Sequence, residues 1–441
     1  MKRVAISTLG CKTNQFESAA MTEQLKTAGY HIVAFNEPSD FYIINSCTVT
    51  ARSDAETRRL VRRARRLNPD SRIIATGCYA QVAPGELENM PEIDCVLGNQ
   101  EKLGISRLLE STGRSVADIA QTSHVEPLKL TSFAEHIRAF LQIQNGCNSF
   151  CSYCIVPYAR GRSRSVSPEE VMHGVKNLAD NGFKEIVLTG IHLGAYGLDL
   201  TSQTSLTGLI KEIDTATTVP RLRIGSLEPH EVSEELLNLM ASSGNICHHL
   251  HLPLQSGSDA VLKSMGRAYT AVFFRDLVRQ ITEAMPDAFI GADVIAGFPG
   301  ESEEEFAETI RLLAGLPLAD LHVFPYSSRP GTRAADMPGH LPYRVVTERA
   351  ALLRGIAAEK KAAFLKRFVG MELRVLVQGF NEKTVVCRGL SRNYVTVSFS
   401  GTKELVNEEV AILIENCTGD SCSGSVREPL SPAVLTGSSP A

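Results

Sequence analysis

The chain has 441 residues, 43% of them hydrophobic and 21% charged, with a formal net charge of −4. That length exceeds one ordinary domain, so two to four are expected. The charge excludes a globally basic nucleic-acid binder but leaves room for a local basic face, and no apolar run is long enough for a membrane-spanning helix. The apolar stretch behind Met1-Lys2-Arg3 is too short for a secretory signal, so a cytoplasmic location without membrane attachment is expected. In a reducing compartment the 11 cysteines read as metal ligands or buried residues rather than disulfides.

Residues 4–8, 41–44 and 73–75 are apolar runs separated by helical segments at 18–28 and 55–67. Strand–helix alternation predicts a parallel sheet with crossover helices. Each run leads into a cysteine: Cys11, Cys47 and Cys78. In an open parallel sheet the strand ends share one edge, where ligands bind. The three thiols could therefore converge, although Cys47 and Cys78 could equally pack as small apolar residues. Cys95 reads as part of a fourth strand rather than its exit. The 55–67 helix carries Arg58, Arg59, Arg62, Arg63, Arg65 and Arg66. Such a run is either a solvated face or a phosphate-contacting strip, for which Arg58, Arg59, Arg62, Arg63 and Arg66 are the candidates. Residues 111–132 are polar and aperiodic, which suggests a linker.

Six apolar runs follow, at 140–143, 185–188, 222–224, 250–252, 289–295 and 321–324, again separated by helical segments. The pattern predicts a partial parallel barrel, whose active site belongs at the C-terminal mouth. At the first exit stands Gly146-Cys147-Asn148-Ser149-Phe150-Cys151-Ser152-Tyr153-Cys154, a C-x3-C-x2-C loop. Three thiolates can hold three corners of a cubane iron–sulfur cluster, whereas structural zinc wants four protein ligands. The bland alternative is a turn of inert thiols. His248, His249 and His251 lie near the fourth strand, where alternation sends neighbours to opposite faces, so packing roles are expected. After a helical stretch at 343–368, short runs at 373–377, 384–387, 394–399 and 410–414 predict a small antiparallel barrel. Such barrels often bind single-stranded nucleic acid; a stabilising appendage is the alternative. Cys417 and Cys422 are too few for a metal site. From Thr418 onward Ser, Gly and Pro dominate, so disorder is expected.

The C-x3-C-x2-C loop resembles the cluster motif of the radical S-adenosylmethionine enzymes. Its continuation, Ile155-Val156-Pro157-Tyr158-Ala159-Arg160-Gly161-Arg162-Ser163-Arg164-Ser165, is similar to the methylthiotransferase branch. Thr8-Leu9-Gly10-Cys11-Lys12-Thr13-Asn14-Gln15, Asn45-Ser46-Cys47-Thr48-Val49-Thr50 and Thr76-Gly77-Cys78-Tyr79-Ala80-Gln81 resemble that family's three N-terminal cluster motifs. The resemblance implies an N-terminal parallel α/β domain (1–112), a radical core forming a partial (βα)6 barrel (133–369) and a TRAM-like β-barrel (370–436). It implies two [4Fe-4S] clusters. One, on Cys147, Cys151 and Cys154, would cleave S-adenosylmethionine; the other, auxiliary cluster, on Cys11, Cys47 and Cys78, would supply sulfur. Ser226, Glu228, Gln255, Gly297, Pro299 and Gly300, at other strand exits, would contact the cofactor.

The Cys11-Lys12-Thr13-Asn14 motif and the 158–165 run resemble most the branch acting on N6-threonylcarbamoyladenosine beside the tRNA anticodon, at position 37. A transferase of tRNA processing, reduced by an electron-donor protein and acting as a monomer, is the resulting expectation. The same chemistry on N6-isopentenyladenosine or on a ribosomal-protein aspartate is the alternative. A non-catalytic iron–sulfur carrier or RNA-binding protein is more remote, because it leaves the six barrel repeats without a purpose.

Overall fold

A computed structural model describes residues 1–125, 128, 137–201 and 204–427. The chain divides into two compact units, Met1–Lys360 and Lys361–Ala441.

The first unit begins with a six-stranded parallel sheet. Its strands are β1 (Arg3–Thr8), β2 (His31–Val33), β3 (Phe41–Ser46), β4 (Arg72–Gly77), β5 (Cys95–Leu97) and β6 (Gly113–Ser115), in the order β2-β1-β3-β4-β5-β6. Successive residues of a strand face opposite sides, and both sides are covered. Tyr42, Ile44, Ile73 and Ala75 meet Leu60, Val61 and Ala64 of helix Ala51–Leu67. Phe41, Ile43 and Ile74 meet Met21 and Leu25 of helix Lys12–Thr27. Register decides the function of this sheet. Thr8 pairs with Asn45, and Asn45 with Thr76, so β1, β3 and β4 end level with one another.

The stretch expected to be a linker instead contributes β6 and a 3-10 turn at Ile119–Gln121. A three-residue, fully exposed edge strand has no buried face, so it leaves no hydrophobic period to read. Residues 126–127 and 129–132 of that stretch, and 133–136 at the expected start of the core, lie outside the described residues. The equally short β2 was also invisible to the pattern.

All six expected barrel strands are present: β7 (Arg138–Gln142), β10 (Glu185–Thr189), β11 (Arg221–Ile224), β12 (His249–Gln255), β13 (Phe289–Ala296) and β14 (Asp320–Pro325). A two-residue ribbon, β8 (Gln144–Asn145) with β9 (Arg164–Ser165), closes the cysteine loop behind β7. β11-β10-β7 and β12-β13-β14 form parallel sheets, joined by parallel bridges Leu222↔Ile246 and Ser226↔His251. Ile186, Leu188, Leu222, Ile224, Leu250, Leu252, Ile290 and Ala292 share one core with Val175, Leu209, Phe274 and Ile281 from the surrounding helices. Charged residues take alternate strand positions. Buried Glu185 holds Arg221 and Arg223, each at 2.8 Å. Helix Lys12–Thr27 adds Phe16 and Ala20 to the barrel core. It thereby joins the N-terminal sheet to the barrel.

The second unit is a closed five-stranded barrel: β15 (Glu372–Asn381), β16 (Val386–Ser391), β17 (Thr396–Ser400), β18 (Glu409–Thr418) and β19 (Ser421–Val426), in the order β15-β16-β17-β19-β18. Two expectations are corrected here. The segment expected to be disordered from Thr418 onward supplies β19, which pairs with both β17 and β18 and so closes the barrel. The expectation of no disulfides fails as well. Cys417 and Cys422 sit opposite each other across the β18–β19 hairpin and are bonded. Their spacing across the tight turn, not the composition, brings them together. Residues 428–441 lie outside the described residues. Among the described residues, no helix is long and apolar enough to cross a membrane.

Candidate active site

Cys11, Cys47 and Cys78 stand just past β1, β3 and β4, and each begins or precedes a helix. Cys11 is the N-cap of helix Lys12–Thr27, and Cys78 opens helix Cys78–Val82. The backbone packs tightly between them. Gly10, at φ +96°, has no side chain where a Cβ would lie 2.9 Å from the Cys47 sulfur. Burial pushes the Cys47 thiol up to about 11, and the nearby charges of Cys78 and Cys11 add to the rise. The three sequence-distant thiols therefore share one site.

The contiguous loop is built differently. Gly146, at φ +75°, lies so close to the carbonyl oxygen of Arg162 that a Cβ would overlap it. The Ser152 amide donates to Met265 O (2.9 Å), and the Ala334 amide donates to Ser152 O (2.7 Å). These bonds tie the loop to chain segments near the ends of the fourth and sixth barrel strands. Arg267 donates from one nitrogen to Cys151 Sγ at 3.2 Å and from the other to Glu228. His192 Nδ1 lies 3.5 Å from Cys147 Sγ, and its Nε2 lies 2.6 Å from Glu231. Burial opposes charge on His192, but those two contacts prevail and raise it to about 10. Burial likewise opposes ionisation of Cys147, yet His192 and Ser149 lower it overall. Cys154 is pushed up to about 12, first by burial and then by Cys151 and Cys147.

A third set of side chains joins the two thiol groups. Helix Val156–Arg160, which follows Cys154, packs against helix Cys78–Val82. Arg160 Nε donates to Cys78 Sγ at 3.3 Å, while its two end nitrogens reach Glu17 and Asn14. Asn99 donates to Ala159 O at 2.7 Å. Arg329, past the last barrel strand, donates to Thr48 Oγ1 at 2.7 Å and to Asp54 at 2.5 Å. The barrel mouth and the sheet edge therefore hold each other in place.

The other expected residues divide. Glu228 is linked to Cys151 through Arg267. Gln255 ends β12 at φ +66° and is buried, and Ser226 bridges to the neighbouring strand. Gly297, at φ +77°, donates its amide to Glu301 at 3.0 Å. Pro299 is buried in the same turn, and Gly300 is bonded to Gly339 at 2.8 Å. On the arginine helix, half-buried Arg58 donates to Tyr79 Oη (2.7 Å). Arg59 is paired with Glu56. Arg62, Arg63 and Arg66 are exposed, with Arg62 3.8 Å from Glu92. The three histidines have different partners. His248 meets Asp287, His249 stacks on Phe289, and His251 reaches Asp293 beside His322. The pattern did not single out Arg160, Glu17, Lys102 or Arg267. A charged Glu17 beside Phe16 on the buried face of an apolar-seated helix was the one available signal.

Both triplets fit iron–sulfur clusters on this structure's own terms. Among the described residues, His251, Asp293 and His322 are the group whose ligand atoms all fall within 4.8 Å of one another. All six cysteines of the two triplets are free thiols, and thiolate is the usual protein ligand of an iron–sulfur cluster. Raised Cys47 and Cys154 thiols must release protons on binding, so loading is favoured by higher pH. Each triplet offers three thiols, so a cubane cluster held there would keep one iron for a non-protein ligand.

Comparison with known proteins agrees with this layout. Residues 3–98 match the profile of "uncharacterized protein family UPF0004", and residues 141–313 match the radical SAM superfamily. The chain is 40% identical to a protein named threonylcarbamoyladenosine tRNA methylthiotransferase MtaB from Aquifex aeolicus, over 93% of this chain and 100% of that one. It is 40% identical to the protein of the same name from Bacillus subtilis, over 94% of each chain. A solved structure of TsrM, a radical S-adenosylmethionine methyltransferase from Kitasatospora setae, superposes with a TM-score of 0.54 at 17% identity. That match covers 76% of this chain and 75% of that one, and it speaks to fold alone.

Proposed function

The chain belongs to the radical S-adenosylmethionine methylthiotransferase family, and from that premise we propose that it acts on tRNA, converting N6-threonylcarbamoyladenosine into its 2-methylthio derivative. The observation that carries this reading is the joining of two three-thiol sites, one at a sheet edge and one at a barrel mouth, through Arg160. When bound, a cluster on Cys147, Cys151 and Cys154 supplies reductive cleavage of S-adenosylmethionine, and one on Cys11, Cys47 and Cys78 supplies sulfur.

The chain's own residues do the positioning. Arg267 fixes Cys151 relative to Glu228, and the His192–Glu231 pair orients the side of Cys147. Val261, Met265, Ile295, Phe298 and Ala334 form an apolar cluster against Tyr153 of the loop, a wall suited to keeping water from radical chemistry. Ser226, Glu228, Gln255 and the 297–300 turn are our candidates for contacts to S-adenosylmethionine.

Two features support the threonylcarbamoyl substrate. Relatives at 40% identity over nearly the whole chain carry that name. Lys12, beside Cys11, lies near enough to His249 and His322 for its positive charge to disfavour theirs. A threonyl carboxylate would meet a cation there; an isopentenyl group would gain nothing from one. Arg62, Arg63 and Arg66 are our candidates for tRNA phosphate contacts, and the C-terminal barrel for a further RNA contact. The test is mass spectrometry of tRNA nucleosides from cells lacking the protein. Loss of the 2-methylthio derivative, with N6-threonylcarbamoyladenosine accumulating, is expected. Loss of the isopentenyl-derived methylthio nucleoside instead would assign the neighbouring branch.

A further inference from the structure

Arg160 stands six positions after Cys154, yet it belongs physically to the other thiol site. Its side chain is 1% exposed. Nε donates to Cys78 Sγ at 3.3 Å, and an end nitrogen meets Glu17 Oε2 at 3.0 Å. Glu17 also accepts from buried Lys102 at 2.6 Å, and Lys102 reaches Asn99 Oδ1 at 2.7 Å. Asn14 accepts from Arg160 and donates to Leu9 O and Ser46 O, the backbone on either side of the site.

Arg160 stays a cation here, while burial lowers Lys102 from its usual value. A buried charge is costly unless it is paired. Besides Glu17, the groups whose negative charge favours the Arg160 cation are the Cys78 and Cys11 sulfurs. Hydrogen bonds to cluster sulfurs and nearby charge both tune reduction potential. A cation against the cluster makes an added electron less costly and raises the potential.

We infer that Arg160 is a positioning residue that sets the reduction potential of the auxiliary cluster from within the chain segment that follows the other cluster's loop. The inference rests on the two-cluster reading above. Its test uses the full-length chain carrying Cys147→Ala, Cys151→Ala and Cys154→Ala, which leaves the auxiliary cluster as the sole one titrated. Redox titration followed by electron paramagnetic resonance compares Arg160 with Arg160→Gln and Arg160→Lys in that background. A lower midpoint in the Gln variant, with the Lys variant closer to the parent, is expected. Loss of the cluster in the Gln variant but not the Lys variant also supports the charge role. An unchanged midpoint in the Gln variant overturns it, as does cluster loss in both variants, which would mark Arg160 as packing alone. A background chain that holds no iron at all sinks the two-cluster reading itself, and this inference with it.

Discussion

The two proposed cluster sites are assembled by opposite routes. The C-x3-C-x2-C loop gathers its ligands from nine consecutive residues, 146–154, and a tight glycine turn shapes it. The auxiliary site gathers Cys11, Cys47 and Cys78 from three separate strand exits, and only the register of β1, β3 and β4 brings them level. A local site survives changes in distant packing. A distributed site depends on everything that keeps its strands aligned, which here includes a buried charge network reaching from Lys102 to Arg160.

The largest test of this contrast is to delete one ligand from each. Cys151→Ala should abolish cleavage of S-adenosylmethionine while about half the iron remains, because the other site carries its own cluster. Cys47→Ala should keep cleavage and lose the methylthio product. Iron analysis and a 5′-deoxyadenosine assay on each variant decide it. Product formation by the Cys47 variant would mean that the sulfur source lies elsewhere.

The barrel that carries the local loop has a weak point of its own. Glu185→Gln removes the carboxylate from buried Arg221 and Arg223. Breaking such a pair costs about 3–5 kcal/mol, to be read from denaturant midpoints. A fall below 1 kcal/mol would show that water or rearrangement relieves the arginines.

Acid should expose the same dependence more gently. Burial alone would raise the carboxyl of Glu185, but Arg223 and Arg221 overcome it and hold the group well below its usual range. Burial is likewise outweighed at Asp293, by His251 and His322. A carboxyl depressed on folding stabilises the protein above its unfolded value, about pH 4, and that contribution fades as pH falls further. Thermal melts of the wild type should therefore drop on acidification below about pH 4. The drop should be smaller for Asp293→Asn.

The smallest expected effect concerns the surface rather than either site. Arg63→Glu with Arg66→Glu should leave stability within about 0.5 kcal/mol but weaken tRNA binding. The salt dependence of binding should fall by roughly one unit of slope per lost phosphate contact. Unchanged binding would make this helix face merely solvated.

Much of this was legible from residue order, for identifiable reasons. The parallel sheet and the barrel strands show as apolar runs because their faces are covered by helices, and the cysteine loop shows because its ligands are contiguous. β2 and β6 stayed hidden because three-residue edge strands bury too little to leave a pattern. β19 and the Cys417–Cys422 bond stayed hidden because a Ser- and Gly-rich strand is held by backbone pairing, not by its side chains. Arg58 could not be told from its neighbours, since one turn of helix separates a solvent-facing arginine from one bonded to Tyr79.

By itself the amino-acid order determined most of the element types and the contiguous C-x3-C-x2-C set, because hydrophobic period and ligand spacing along one loop are local properties of a chain. Only tertiary structure decided that Arg160, six residues beyond Cys154, would lie against Cys78. Contacts between distant segments follow from strand register and helix docking, and the buried charges of Glu17 and Lys102 then fix where the guanidinium can rest.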